Sequence, residues 1–217
     1  MQYKSKIWNR SRLKSAFTAA VLACASACTP DGDIIFGPVR VTATVGEASF
    51  AQTLFGGVKG ATITHRQRFC EMPTEEELSE QLKGEGAFDI TQFIRLNRLE
   101  LVETTLTATS GNFNFLTDLT VRFVPKPGAG NAVVLGTASA PGGFNTEIVL
   151  IPEDDVDFLA LIRANDASDS DACPKIEYEM TFQSIPLQDV EYRLDVTVDG
   201  YVELGAEKFL ATADFVQ

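Results

Sequence analysis

The densest run of oxygen-bearing side chains lies between Asn165 and Asp171, where the sequence is Asn-Asp-Ala-Ser-Asp-Ser-Asp. Hard oxygen ligands of this kind suit calcium, so Asp166, Asp169 and Asp171 are candidate metal ligands. The run lacks both the glycine and the terminal bidentate glutamate of an EF-hand loop. We therefore expect a solvated acidic loop, with neither a metal nor a cofactor bound.

The sequence contains few of the residues and motifs that usually carry out catalysis. His65 is the only histidine, so a catalytic triad or a histidine-based metal site would have to be built on it alone. The Gly-x-Ser-x-Gly and His-Glu-x-x-His motifs are missing. Two carboxylates can hydrolyse a glycosidic bond without histidine, but no motif selects a pair among the 30 acidic residues. We expect a protein that is not an enzyme, with a carboxylate-based envelope hydrolase as the last alternative.

Phe113, Phe115 and Phe144 stand near asparagine or glycine in expected loops, as sugar-binding aromatics often do. Carbohydrate stacking favours Trp and Tyr, and the only tryptophan is Trp8, close to the N-terminus. We therefore expect the three phenylalanines to pack in the core. A carbohydrate-binding or calcium-dependent adhesion module is the alternative function if these rings line an exposed groove.

The first 28 residues differ from the rest of the chain. Five basic residues and no acid precede an apolar run over residues 16–23 that ends in small side chains. This order is typical of a secretory signal peptide, and the run is too short for a permanent membrane helix.

Two short motifs end this leader, Val-Leu-Ala-Cys at residues 21–24 and Ala-Ser-Ala-Cys at residues 25–28. Both resemble the lipobox of bacterial lipoproteins, although neither has leucine three positions before the cysteine. The resemblance covers the leader alone. It implies a cysteine that carries acyl chains such as palmitate and holds the protein at a membrane. Because no aspartate follows either cysteine, it also implies the outer membrane, with the domain in the periplasm or on the cell surface.

The number of cysteines favours Cys28 over the alternative, Cys24, as the lipidated residue. Cleavage before Cys28 discards Cys24 and leaves Cys70 and Cys173 for one disulfide in an oxidising compartment. We predict a signal peptide over 1–27, a tether over 28–36 and one domain over 37–217.

Removal of the leader leaves 13 of the 18 basic residues against 30 acids, a net charge of −17. So acidic a surface repels nucleic acid and anionic lipid head groups. We therefore expect contact with the membrane only through the lipid anchor, no nucleic-acid partner, and a protein or glycan partner that the sequence does not identify.

Most of the mature chain has the pattern of strands. Residues 175–183 and 190–199 alternate strictly between apolar and polar side chains, which is typical of half-buried antiparallel strands. About eight strands separated by turns predict a mainly β, Greek-key-like β-sandwich. The other expected strands cover residues 39–45, 61–69, 94–108, 119–124, 132–135, 146–151 and 210–216, with 201–204 as an extension of the second long one.

One or two short surface helices are expected between the strands. Residues 74–84 begin with Thr74 and Glu77 in capping positions and end at Gly84. Residues 156–164 follow two acids, Asp154 and Asp155, that could cap a second helix. These patterns together favour a membrane-anchored cell-envelope lipoprotein whose non-catalytic β-sandwich has a binding or structural role.

Because the acidic loop lacks a recognisable cage, we expect about 1 mM calcium, the range of weak extracellular sites, to leave the melting temperature nearly unchanged. Differential scanning fluorimetry with and without calcium measures this. A rise of several degrees that is abolished by Asp169→Ala with Asp171→Ala would contradict the expectation.

Overall fold

The computed structural model describes residues 27–28, 34–57, 59–70, 94–152, 154–168 and 170–204. These residues form strands, one 3-10 turn over Gln52–Phe55 and one α-helix, α1, over Phe158–Asp166. The strands are β1 Ala27–Cys28, β2 Ile34–Phe50, β3 Thr62–Arg68, β4 Ile94–Ser110, β5 Leu116–Val124, β6 Val133–Ser139, β7 Glu147–Leu150, β8 Lys175–Phe182 and β9 Val190–Leu204.

The strands build two antiparallel sheets, which confirms the predicted β-sandwich. One sheet has the order β1-β2-β9-β4-β7 and the other β3-β8-β5-β6. Strand β2 pairs with β9, β3 with β8, β4 with β7 and β5 with β6, so the pairs are nested like a long ribbon folded on itself. Successive pairs lie in opposite sheets, which is the double Greek key of a jelly roll.

The two long alternating segments are β8 and β9, and they face each other across the core from different sheets. Every second residue of β8 is buried, from Ile176 to Phe182. Strand β9 buries the opposing set, from Val190 to Val198. The predicted alternation therefore supplies the facing layers of the sandwich core.

The polar face of β9 is less solvated than its pattern suggests. Asp195 and Thr197 are buried, because β9 lies between β2 and β4 and their side chains cover it. Asp195 accepts hydrogen bonds from the Thr44 hydroxyl at 2.7 Å and from Arg193 Nε at 2.8 Å. Within the described residues, no buried side-chain nitrogen or oxygen is without a partner.

The predicted helix over 156–164 is present as α1, but its cap differs from the expectation. Asp157, and not Asp154 or Asp155, accepts the amides of Leu159 and Ala160 at 3.0 and 3.3 Å. The helix is also more than a surface element, since Leu159 and Ile162 are buried. Among the described residues, no helix is long and apolar enough to cross a membrane.

Several expected boundaries shift or fall outside the described residues. Strand β2 begins at Ile34 and pairs there with β1, so residues 34–36 of the predicted tether belong to the sheet. Strand β6 continues to Ser139, through Gly136. The predicted helix over 74–84 and the predicted strand over 210–216 lie outside the described residues.

One loop contact depends on a glycine. Gly143 has φ of +87°, and a Cβ atom built on it would lie 2.3 Å from the carbonyl oxygen of Asn114. A Cβ atom on the neighbouring Gly142 would have no other atom within 4 Å. The β6–β7 loop can therefore approach the β4–β5 loop this closely only with glycine at position 143.

We expect Gly143→Ala to lower the free energy of unfolding by at least about 2 kcal/mol, because it adds both backbone strain and a clash. Gly142→Ala is the matched control, and its effect should stay within about 0.5 kcal/mol. Guanidinium unfolding of both variants measures the difference, and equal midpoints would contradict the expectation.

Candidate functional site

A disulfide joins Cys70 to Cys173, which confirms the pairing expected from the number of cysteines. Their Cα atoms are 4.8 Å apart and 103 residues apart in sequence. The bridge lies just beyond the paired ends of β3 and β8, where the Phe69 amide donates to the carbonyl oxygen of Pro174 at 2.8 Å. Closing so long a loop restricts the unfolded chain and stabilises the fold by up to ~4.7 kcal/mol on the chain-entropy model.

The candidate lipidation site, Cys28, lies in β1. Cys28 pairs with Ile34 at the start of β2, and Ala27 pairs with Ile35. The alternative site, Cys24, lies outside the described residues. Strand β2 runs from this end of the sandwich to Phe50 at the other end. Cys28 therefore lies near the first end and far from the second.

His65 lies on β3, and its half-buried ring packs against the core. Its ring stacks on Tyr178 at 6.2 Å between centroids and meets the edge of Phe50 at 6.1 Å. Partial burial lowers the pKa of His65 below its usual value of 6.5. The ring therefore belongs to an aromatic cluster of the core, where a neutral imidazole packs better than a charged one.

Two tyrosines complete this cluster. Tyr178 and Tyr192 are almost fully buried, with ring centroids 5.8 Å apart, and burial raises the pKa of Tyr178 well above its ordinary value. The Tyr192 hydroxyl donates to Gln67 Oε1 at 3.4 Å. The buried Tyr178 phenol is therefore neutral at neutral pH and is not a candidate for acid–base chemistry there.

Two of the three candidate calcium ligands lie among the described residues. Asp166 and Asp171 are both exposed, and Asp169 lies outside the described residues. Asn165 is buried and structural, because its side-chain oxygen accepts the Lys126 amide at 2.9 Å and its nitrogen donates to the carbonyl oxygen of Leu161. The described part of the chain holds no group of three His, Cys, Asp or Glu side chains able to bind a metal ion.

The three loop phenylalanines pack in the fold. Phe113 and Phe115 are buried, and Phe144 is partly buried against the core. Phe115 meets Phe55 edge-on at 4.8 Å between centroids. The rings do not line an exposed groove, which was the condition that favoured a carbohydrate-binding module.

The loops that join β2 to β3, β4 to β5, β6 to β7 and β8 to β9 meet at one end of the sandwich, which we call the loop end. The Gln52 amide donates to Asp189 Oδ1 across it at 2.8 Å. Leu187 projects from this end with 97% of its surface exposed, beside the half-exposed Ile185. Cys28 lies at the opposite end, because β2 begins beside Cys28 and ends at the loop end.

The outer face of the β3-β8-β5-β6 sheet carries a charged ladder that the alternation alone did not identify. Arg66 Nε lies 2.6 Å from Glu177 Oε2, and Arg122 bridges Glu177 and Glu179. At the end of the ladder, Arg68 stands directly opposite Lys175. Neither of these two cations forms an ion pair with another described residue.

Strand β3 is an edge strand of its sheet. It pairs with β8 on one side, and no described strand pairs with the other side. A shallow, mostly apolar groove of about 20 Å³ opens beside it, lined by Val45, Ala48 and Leu194 from one sheet and Phe69 and Ile176 from the other. The sequence signal for this edge is the absence of acids from Lys59 to Arg68 in a chain that is otherwise acidic.

A scan of protein-family models and a search of curated proteins each gave no match. Among solved structures, the chain is similar to one from Desmodium yellow mottle tymovirus, at 12% identity over 77% of this chain and 87% of that one, with a TM-score of 0.28. It is also similar to one from Turnip yellow mosaic virus, at 16% identity over 86% of each chain, again with a TM-score of 0.28.

Because burial lowers the pKa of His65, the unfolded chain binds a proton near pH 6.5 while the folded ring stays neutral. The free energy of unfolding should therefore decrease as the pH falls below about 6.5, until the folded ring is protonated as well. We expect His65→Gln to reduce this decrease between pH 7.5 and 5.5. Guanidinium unfolding of both proteins measures it, with the carboxylates common to both as an internal control, and equal pH dependence would contradict the assignment.

Proposed function

We propose that the chain is an exported, lipid-anchored protein of the bacterial cell envelope whose β-sandwich acts by binding and not by catalysis. The observation that carries this proposal is the disulfide between Cys70 and Cys173. Disulfides persist in oxidising compartments and are rare in the cytosol. The bridge therefore supports export, which the basic and apolar leader over residues 1–27 also predicts.

The same bridge supports Cys28 as the lipidated residue. With Cys70 and Cys173 joined, cleavage before Cys28 leaves no unpaired thiol apart from the one that the acyl chain modifies. The resemblance of residues 25–28 to a lipobox supplies the chemistry, since several acyl chains on one cysteine hold a protein firmly at a membrane. Because Thr29 follows, the proposed location is the outer membrane, with the domain in the periplasm or on the surface.

The packing of His65 in the core and the small size of the groove beside β3 support a binding role. His65 packs between Phe50 and Tyr178, so the one imidazole of the chain serves the fold. The groove beside β3 is about 20 Å³, enough for roughly one water molecule and far smaller than the usual pockets of small-molecule enzymes. Exposed edges and loops remain as the surfaces on which a partner can bind.

The proposed anchor also orients the domain. Strand β2 has 17 residues, so it spans up to roughly 55 Å at the usual rise per residue. Acyl chains on Cys28 would hold the start of β2 near the bilayer, and the loop end with Leu187 would then face away from it. A partner would approach the loop end or the sides of the sandwich without touching the lipid.

We expect mass spectrometry of the membrane-purified protein to find a mature N-terminus at residue 28 that carries diacylglycerol and fatty acid. Cys28→Ser should abolish both acylation and membrane retention, and the matched control Cys24→Ser should leave both intact. An unmodified N-terminus, or acylation that depends on Cys24, would overturn the assignment.

A further inference from the structure

The backbone of β3 has a defined set of hydrogen-bonding groups that pair with no strand among the described residues. The Phe69 amide donates to Pro174 and the Phe182 amide donates to Ala61, so odd-numbered residues of this strand direct their backbone groups toward β8. In an antiparallel pair the intervening residues direct theirs away. Thr62, Thr64, Arg66 and Arg68 therefore present their N–H and C=O groups on the free side, where no described strand pairs with them.

Such an edge is the surface to which an extended peptide adds as a further strand. The side chains of β3 alternate between exposed and half-buried, with Thr62, Thr64, Arg66 and Arg68 exposed and Ile63, His65 and Gln67 half-buried. A strand added beside β3 would alternate in the same way. Half of its side chains would lie on the outer face, and the other half would point into the seam between the sheets.

The outer face selects acidic side chains. Arg66 is already paired with Glu177 at 2.6 Å, whereas Arg68 faces Lys175, a like charge. Like charges directly opposite each other destabilise a strand pair, and the disulfide two residues beyond each of them holds them in this register. A carboxylate beside Arg68 and Lys175 would relieve that repulsion.

The seam selects small apolar side chains. The groove between β2 and β3 is lined by Val45, Ala48 and Phe69 at its rim and by Ile176 and Leu194 at its base. Its volume of about 20 Å³, enough for roughly one water molecule, accommodates one methyl group of a branched aliphatic side chain and not an aromatic ring. Burial of such a group there would add the hydrophobic part of the binding free energy.

We propose that the free edge of β3 binds an extended segment of another protein in which acidic and small apolar residues alternate. The segment pairs with the backbone of Thr62–Arg68, directs a carboxylate to Arg68 and Lys175, and inserts an aliphatic side chain into the groove. This inference deepens the binding role proposed above, and it does not depend on which cysteine is lipidated.

The test uses the full mature chain in detergent and a fluorescein-labelled, eight-residue peptide that alternates valine and glutamate. A peptide of the same composition with its valines and glutamates in two separate blocks is the control probe. We expect saturable binding of the alternating peptide by fluorescence anisotropy, and at least about tenfold weaker binding of the block peptide.

Two variants separate the backbone contribution from the charge contribution. Thr64→Pro removes an amide on the free side without removing a β3–β8 hydrogen bond, and we expect it to weaken binding at least about tenfold, with Thr64→Ala as its control. Arg68→Glu should weaken binding by a similar factor. Arg98→Glu, which makes the same charge change on the other sheet, should not.

Three results would overturn the inference. The first is no binding of the alternating peptide at millimolar concentration, and the second is binding that Thr64→Pro leaves unchanged. The third is strong hydrogen-exchange protection of the Thr64 and Arg66 amides in the peptide-free protein, since the edge would then already be covered by the chain itself. Acylation of Cys28 is measured separately, so each of these outcomes leaves the lipoprotein assignment to its own test.

Discussion

The pairing of β9 with both β2 and β4 is the constraint on which the rest of the structure depends. Strand β9 buries Tyr192 and Leu194 on its inner face and Asp195 and Thr197 on its outer face. Both of its edges are paired, and the middle of its outer face is covered as well as its inner face. Because β9 is the last described strand and β2 is the first long one, their pairing joins the two ends of the described sequence. The remaining pairs, β3 with β8, β4 with β7 and β5 with β6, then nest within this outermost one.

The sequence predicted those parts of the fold that depend on local patterns. Alternation identified β8 and β9, and a capping residue close to the observed Asp157 identified α1, because side-chain period and capping are properties of a few neighbouring residues. Strand order could not be predicted in this way, since the nested pairing joins residues up to 170 positions apart, as Ile34 with Leu204. The burial of Asp195 was missed for the same reason, because its cover comes from Thr44 and other distant residues.

In the candidate sites, too, features that depend on local sequence were predictable, and features that depend on long-range strand pairing were not. The disulfide was predictable by elimination, because the expected cleavage before Cys28 would leave two other cysteines and only one way to pair them. The role of His65 in an aromatic cluster was visible only in part, since its neighbours Phe50 and Tyr178 come from other strands. The free edge of β3 was not predicted at all, because strand position within a sheet depends on topology, and only the missing acids between Lys59 and Arg68 marked it in the sequence.

The disulfide also closes a covalent loop between residues 70 and 173. The loop that it closes contains β4, β5, β6, β7 and α1, while β2, β3, β8 and β9 lie outside it. Strands inside the loop pair with strands outside it, as β4 does with β9 and β5 with β8. A single proteolytic cut anywhere between residues 70 and 173 therefore releases no fragment, because the two pieces stay joined both by the sulfur bridge and by the shared sheets. The connections inside this loop that cross from one sheet to the other, β4–β5, β6–β7 and β7–β8, are therefore tolerant of nicking.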